Sequence, residues 1–424
     1  MPSRREIVKT AVSLTAAASL GVRAACARTE ERHATVAGID AMLRDATGAG
    51  RLPGVVAMAA SENDVLYEGH FGRRRLDDGP AMTRDTVFRV ASMVKLITSV
   101  AALQLVEQNK LSLDAAVPEI DPALASPQVL EGFDGKGVPK LRPAMRPITL
   151  RHLLTHTAGF AYRLWDAKAL QYAASIEHLT GPQKAVAIRT PLMFDPGEHW
   201  QYGTSIDWVG RIVEFVSGDS IDVYFRKNIF DPLGMKDTAF VISPGQRERE
   251  ASLHRRKVDG SLAAQPMERR STKQRFSGGG GIYSTAPDYL TLIRTLLRGG
   301  ALNGVRVLRP ETVALMGKNQ IGKIDVGVLR TTSPSLSNDV DLCPGVNLKW
   351  GFGHLINMEA VAHGRSAGSL TWGGLFNTYY WIDPGKAVAA VFMTQLLPFA
   401  DRDTLRFYGQ FERGIYALTN RVRA

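Results

Sequence analysis

Only two cysteines, Cys26 and Cys343, occur in 424 residues, too few for a disulfide-stapled scaffold. No apolar run reaches the roughly 18 residues that a membrane-crossing helix needs, which excludes a polytopic membrane protein. Charged residues make up 22% of the chain and hydrophobic ones 45%. That balance excludes the disordered, collagen-like and coiled-coil classes. What remains is an ordinary globular composition, long enough for two domains or for one large core with an inserted subdomain. No internal repeat is visible.

One sign of charge is in excess. The chain carries 52 Lys and Arg against 41 Asp and Glu, a formal charge of +11, which raises nucleic acid as a partner. The densest basic stretch, Arg247–Arg275, holds nine Lys or Arg against four acids. Its cations are interleaved with Glu248, Glu250, Asp259 and Glu268, and no aromatic spacing in it suits base stacking. A solvated loop is the expected structure, and no nucleic-acid partner is expected. The remaining excess is spread thinly and bears on solubility and long-range steering.

The first residues read as an address. Arg4-Arg5 precedes a short, weakly apolar stretch from Thr10 to Val22, and Ala25-Cys26-Ala27 supplies small residues where a signal peptidase cuts. Residues 1–27 therefore resemble a twin-arginine export signal, and the protein is expected to be exported, periplasmic or secreted. Arg23 sits where a lipoprotein signal needs an aliphatic residue, so no stable membrane anchor is expected. Cleavage after Ala27 removes four cations against Glu6, leaving 397 residues at +8 with Cys343 alone. Such a chain has no intrachain disulfide to form.

Along the mature chain, apolar positions at helical spacing predict a helix over 32–47. Gly54–Ala60 and Val65–Phe71 flank Ser61-Glu62-Asn63-Asp64 as a hairpin. Near the other end Asn377–Ile382 and Ala387–Gln395 flank Asp383-Pro384-Gly385-Lys386 as a second one. A final helix fits Thr404–Leu418. Between the ends lie helical patterns at Ser92–Gln108, Ile148–Thr155, Ile206–Ser217, Asp222–Ile229 and Pro287–Leu297. Strands at both termini with helices between predict an α+β fold. Its antiparallel sheet is built from the two ends (28–85 and 285–424), beside an inserted, mainly helical region (86–284).

The central chemical candidate is Ser92-Met93-Val94-Lys95, at the head of a helix that is apolar on nearly all faces and so expected to be buried. Three residues apart on a helix, Ser92 and Lys95 share one face. A serine hydroxyl needs a base to take its proton, and burial removes the water that favours an ammonium ion. The bland alternative is a lysine that snorkels to solvent.

The context strengthens the catalytic reading. The motif resembles the S-x-x-K signature of the serine β-lactamase and penicillin-binding protein superfamily, and within it the family VIII carboxylesterases. Ile148–Gly159, with Leu153-Leu154-Thr155-His156-Thr157-Ala158-Gly159, is similar to a helix-to-loop segment of that group. Trp200-Gln201-Tyr202-Gly203-Thr204 resembles its second motif, Gly278–Gly281 its glycine-rich lead-in to a later helix, and Trp372-Gly373-Gly374 the esterase version of Lys-Thr-Gly. The resemblance runs from about Gly54 to Gln395. It implies the β-lactamase/transpeptidase-like fold, attack by Ser92, and a general base shared by Lys95 and Tyr202. It also implies an oxyanion hole from the backbone N–H groups of Ser92 and Leu375. Substrate contacts are expected from Trp372, Gly373, Gly374, Tyr162, Trp165 and Phe376, and no cofactor is expected.

Two departures bear on substrate. Tyr202-Gly203-Thr204 lacks the asparagine of the lactamase motif, and Trp372-Gly373-Gly374 lacks its lysine. Both losses disfavour β-lactams and favour neutral esters. The expected function is cleavage of carboxylic esters through an acyl-enzyme on Ser92. The alternatives are a β-lactamase, D-stereospecific peptidase or amidase, and a non-hydrolytic binder of penicillin or cell-wall peptides.

Two rival sites are set aside. Gly364-Arg365-Ser366-Ala367-Gly368 fits the G-x-S-x-G nucleophile elbow, but no helix pattern follows it and no histidine occurs after His363. Ser366 is expected in a turn. His152 and His156 are four apart, yet no glutamate lies between them and no third ligand is evident. They are expected to be structural, with no metal.

Overall fold

The computed structural model describes residues 32–118, 120, 122–181, 191–266 and 275–423. The export signal expected at 1–27 lies outside the described residues.

Helix α1 covers 32–48 and buries Ile39, Leu43 and Ala46, the apolar positions of its 3.6-residue period. Strands β1 (Gly54–Ser61) and β2 (Val65–Gly72) follow as the expected hairpin. Its turn is closed by Ser61 Oγ, which accepts the N–H groups of Asn63 and Asp64 at 3.2 and 3.0 Å. From the other end of the chain come β3 (Leu348–Trp350), β4 (Leu355–Asn357), β5 (Ser369–Gly374), β6 (Thr378–Asp383) and β7 (Val388–Met393). The seven form one sheet in the order β3-β4-β5-β6-β7-β1-β2, every pair antiparallel. The expected fold class holds, and β7 beside β1 is the seam where the two ends meet.

Strand β6 shows how the sheet serves two layers. Its side chains alternate faces. Tyr379 and Trp381 stack on Tyr408 and Phe411 of the final helix α6 (Arg402–Arg423), with centroids 4.9–5.7 Å apart. Tyr380 points the other way, 5.4 Å from Tyr289 of α5 (Ala286–Leu297). The sheet is therefore covered on both sides, and β1, β5, β6 and β7 read as nearly continuous buried runs.

The expected central helix forms as a 3₁₀ turn, Ala91–Met93, leading into α2 (Val94–Glu107). Every residue of α2 from Val94 to Leu105 is buried, in keeping with its apolar circumference. Helices α3 (Leu150–Leu154) and α4 (Ser205–Ser217) occupy the other expected positions near the site.

One expectation needs correction. The basic stretch 247–275 is only partly loop. It begins in a short helix (Pro244–Glu248) and continues as an antiparallel pair, His254–Arg256 with Leu262–Ala264; residues 267–274 lie outside the described residues. Among the described residues, Arg247, Arg249 and Arg256 of the stretch are ion-paired. Arg256 meets buried Asp401 at 2.6 Å, Arg249 meets Asp237 at 2.6 Å, and buried Glu250 lies between Arg89 and Arg247. Region 86–284 carries, beside its helices, the strand pair Gln128–Phe133 and Pro139–Pro143. Both pairs are local hairpins, closed over residues 134–138 and 257–261, whose strands lack an apolar alternation in the sequence.

Candidate active site

Ser92 lies in the 3₁₀ turn that opens α2, half-buried. The residue before it, Ala91, has φ +43°, a conformation that costs a non-glycine residue on the order of 1 kcal/mol or more. The neighbours impose that turn. Tyr289 OH donates to Met93 O at 2.9 Å, and the end of β5 presses against Val90. A Cβ on Gly374 would overlap the Val90 carbonyl, so only glycine permits this approach. This sets the end of β5, one residue before Leu375, against Val90, two residues before Ser92.

Lys95 is buried, so it does not snorkel. Its Nζ sits within hydrogen-bond distance of Ser92 Oγ (3.2 Å), Gly279 O (2.8 Å) and Tyr162 OH (3.3 Å). Three oxygen atoms thus surround the nitrogen. The Tyr162 hydroxyl in turn donates to Asp207 Oδ2 at 3.1 Å. Burial first, and then the Asp207 carboxylate, hold the Tyr162 phenol well above its usual range, so it keeps its proton.

Tyr202 stands differently from the expectation. Its ring lies 5.0 Å from Lys95 Nζ, centroid to nitrogen, and its hydroxyl accepts the Trp372 indole N–H at 3.1 Å. The phenol oxygen that hydrogen-bonds Lys95 in this structure is that of Tyr162. Sequence reasoning placed Tyr162 in a substrate pocket. No spacing signal ties a residue 67 positions away to Lys95, so only the fold could show it.

The remaining expected contacts divide. Trp372 is buried but borders a cavity of about 180 Å³ with mixed polar and apolar walls, together with Trp200, Asp341, Leu342, Cys343 and Leu355. Trp165 is not an open pocket wall. It is packed 5.5 Å from Tyr202, and its indole N–H is taken by Ser337 Oγ at 3.1 Å. Leu375 and Phe376 are half-buried beside Gly373 and Gly374.

Two further residues were not found from sequence. Asp207 lies in the first turn of α4, and its second oxygen, Oδ1, accepts the Ser277 hydroxyl. Ser277 Oγ accepts the Gly279 N–H at 3.0 Å, and a Cβ on Gly279 would overlap the Asp207 carboxylate. The glycine-rich run noticed in the sequence is therefore the wall that presents a carbonyl to Lys95.

The rivals fall where expected or nearby. Ser366 lies just before the turn that leads into β5, and its N–H donates to Asp383. His152 caps α3 by accepting Thr149 N–H at its own Nδ1. His156 lies beyond that helix at φ +58°, packed 4.7 Å from Tyr202 and 5.2 Å from Trp350. Burial, with Lys95 nearby, holds His156 well below its usual pKa and so neutral. Its Nε2 has no partner among the described residues, so it is less fully satisfied than expected. Among the described residues no three His, Cys, Asp or Glu are grouped to hold a metal.

Comparison with known proteins identifies the family. The β-lactamase family profile matches residues 39–414. The chain is 31% identical to a ML-236A carboxylate methylbutanoyltransferase of Penicillium citrinum, over 90% of this chain and 94% of that protein. It is also 31% identical to a lovastatin esterase of Penicillium rubens, over 89% and 98%. A mutant simvastatin synthase from Aspergillus terreus superposes with TM-score 0.80 at 31% identity, covering 90% of this chain and 98% of that one. The chain belongs to the β-lactamase family and is an enzyme of the serine β-lactamase fold whose relatives include acyltransferases. Among the described residues no helix is long and apolar enough to cross a membrane.

Proposed function

We propose that the protein cleaves carboxylic esters by acyl transfer to Ser92. The observation that carries this is the buried Lys95 amine 3.2 Å from Ser92 Oγ, within the reach a general base needs. In the acylation step Lys95 takes the Ser92 proton as Oγ bonds to the acyl carbon. The backbone N–H groups of Ser92 and Leu375 hold the oxyanion, at about 3–4 kcal/mol per donor. The position of Ser92 at the head of α2 favours its developing charge. The ester C–O bond then breaks, and the alcohol leaves with the proton. Lys95 returns that proton either directly or through Tyr202, whose oxygen already accepts the Trp372 N–H.

Deacylation repeats the same steps with a new acceptor. With water the product is a free acid; with an alcohol it is a new ester. The names of the relatives favour keeping the alcohol in view. The absence of lysine from Trp372-Gly373-Gly374 supports a neutral substrate. The site is proposed to lie between 28–85 with 285–424 on one side and 86–284 on the other. Export through residues 1–27 is proposed with it.

The test compares short-chain p-nitrophenyl esters with nitrocefin and D-alanyl amides, with and without added alcohol. Ester turnover well above lactam and amide turnover is expected, with alcohol diverting acyl groups from the acid product. The reverse order would overturn the ester reading, and a burst of label without turnover would mark a binder instead.

A further inference from the structure

To accept the Ser92 proton, Lys95 must present a nitrogen lone pair to Oγ, with both N–H bonds of its neutral amine directed elsewhere. The hydrogen bonds around Nζ can be arranged in more than one direction. Gly279 O can only accept. Tyr162 OH can accept from Lys95 or, if its own hydrogen turns round, donate to the lone pair and mask it.

We propose that Asp207 is the positioning residue that fixes this direction, a role that rests on the acyl-Ser92 reading above. Oδ2 takes the Tyr162 hydrogen at 3.1 Å, so the phenol oxygen can only accept from Lys95, 3.3 Å away. Oδ1 takes the Ser277 hydrogen. That leaves Ser277 Oγ to accept the Gly279 N–H at 3.0 Å, while the Gly279 carbonyl takes the other Lys95 N–H at 2.8 Å. One carboxylate therefore sets both acceptors on the amine, and the only direction left for the lone pair is Ser92. Two carboxylate oxygens accept and never donate, which is why this position needs an acid. An amide has one oxygen; it can take one of the two hydroxyl hydrogens but offers a donor to the other. Asp207 does not touch the reacting atoms. Its effect passes through Tyr162 and through the loop at Ser277–Gly279.

The test is a set of kinetic comparisons on a p-nitrophenyl ester, with each variant's thermal melt recorded. Asp207→Asn is expected to lower kcat by about tenfold or more with KM within about twofold. In a Tyr162→Phe/Ser277→Ala background, where neither hydroxyl remains to be oriented, the same change should cost less than about twofold. A purely structural carboxylate would cost the same factor in both backgrounds, and that result would overturn the proposal. So would an Asp207→Asn enzyme with kcat within about twofold of the parent. If Asp207→Asn does not fold, Tyr162→Phe and Ser277→Ala are read singly; a lower kcat in each supports the proposal, and an unchanged kcat in both overturns it. Ser92→Ala separates the two levels. Retained activity there removes the acyl-Ser92 reading itself, whereas an inactive Ser92→Ala beside a normal Asp207→Asn removes only the role of Asp207.

Discussion

Ser92 and Lys95 are the pair on which the proposed chemistry turns, and their contact was legible because a helix makes a spacing of three into one. The 3.2 Å separation of their polar atoms is the result. Lys95→Ala should reduce ester turnover by about 10²–10⁴-fold, the usual contribution of a general base. Ser92→Ala should abolish labelling by a fluorophosphonate, with Ser366→Ala labelling like the parent; peptide mass spectrometry of the modified serine checks both. A second residue-scale expectation concerns His354. It is fully buried, and desolvation pushes its pKa down to about 3. An unfolded histidine takes a proton near pH 6.5 that the folded one refuses, so folding stability is lost as pH falls from about 6.5 toward 3. The slope is about 1.4 kcal/mol per pH unit for this group. Urea unfolding at several pH values should show a shallower acid slope in His354→Phe than in the parent.

At the scale of elements, the hairpins and the long helices follow from periodicity and turn chemistry, since each is stabilised by neighbours close in sequence. The strands at His254–Arg256 and Gln128–Phe133 did not. They too are local hairpins, but strands such as His254-Arg255-Arg256 and Pro139-Lys140-Leu141-Arg142-Pro143 carry no apolar alternation to mark them. Two junctions between elements make predictions. Gly374→Ala would force a methyl into the Val90 carbonyl and move β5 from the Ser92 turn. A loss of about tenfold or more in the rate of serine acylation is expected, with a cooperative melt retained. Phe411 of α6 is fully buried between Tyr67, Trp381 and Phe392. Phe411→Ala should cost about 3–5 kcal/mol by chemical denaturation, while the enzyme that remains folded keeps its kcat.

For the molecule as a whole, the order of motifs along the chain identified the superfamily, and the sheet joining both termini follows from hairpins at each end. The proposed export is tested at this scale. Expression in a bacterium with a functional twin-arginine pathway should yield a chain beginning at Arg28, and Arg4→Lys/Arg5→Lys should leave the chain uncut. A mature N-terminus at Met1 in the parent would refute the signal.

By itself the sequence determined what depends on near neighbours: the Ser92–Lys95 face, the buried helix that carries it, the turns, and the missing lysine at Trp372. Tertiary structure alone decided which phenol meets Lys95 and which carboxylate stands behind it. Tyr162, Asp207 and Gly279 lie 67, 112 and 184 positions from Lys95. No local period links them, and they are brought to one nitrogen only when α2, α4 and the glycine-rich loop pack together.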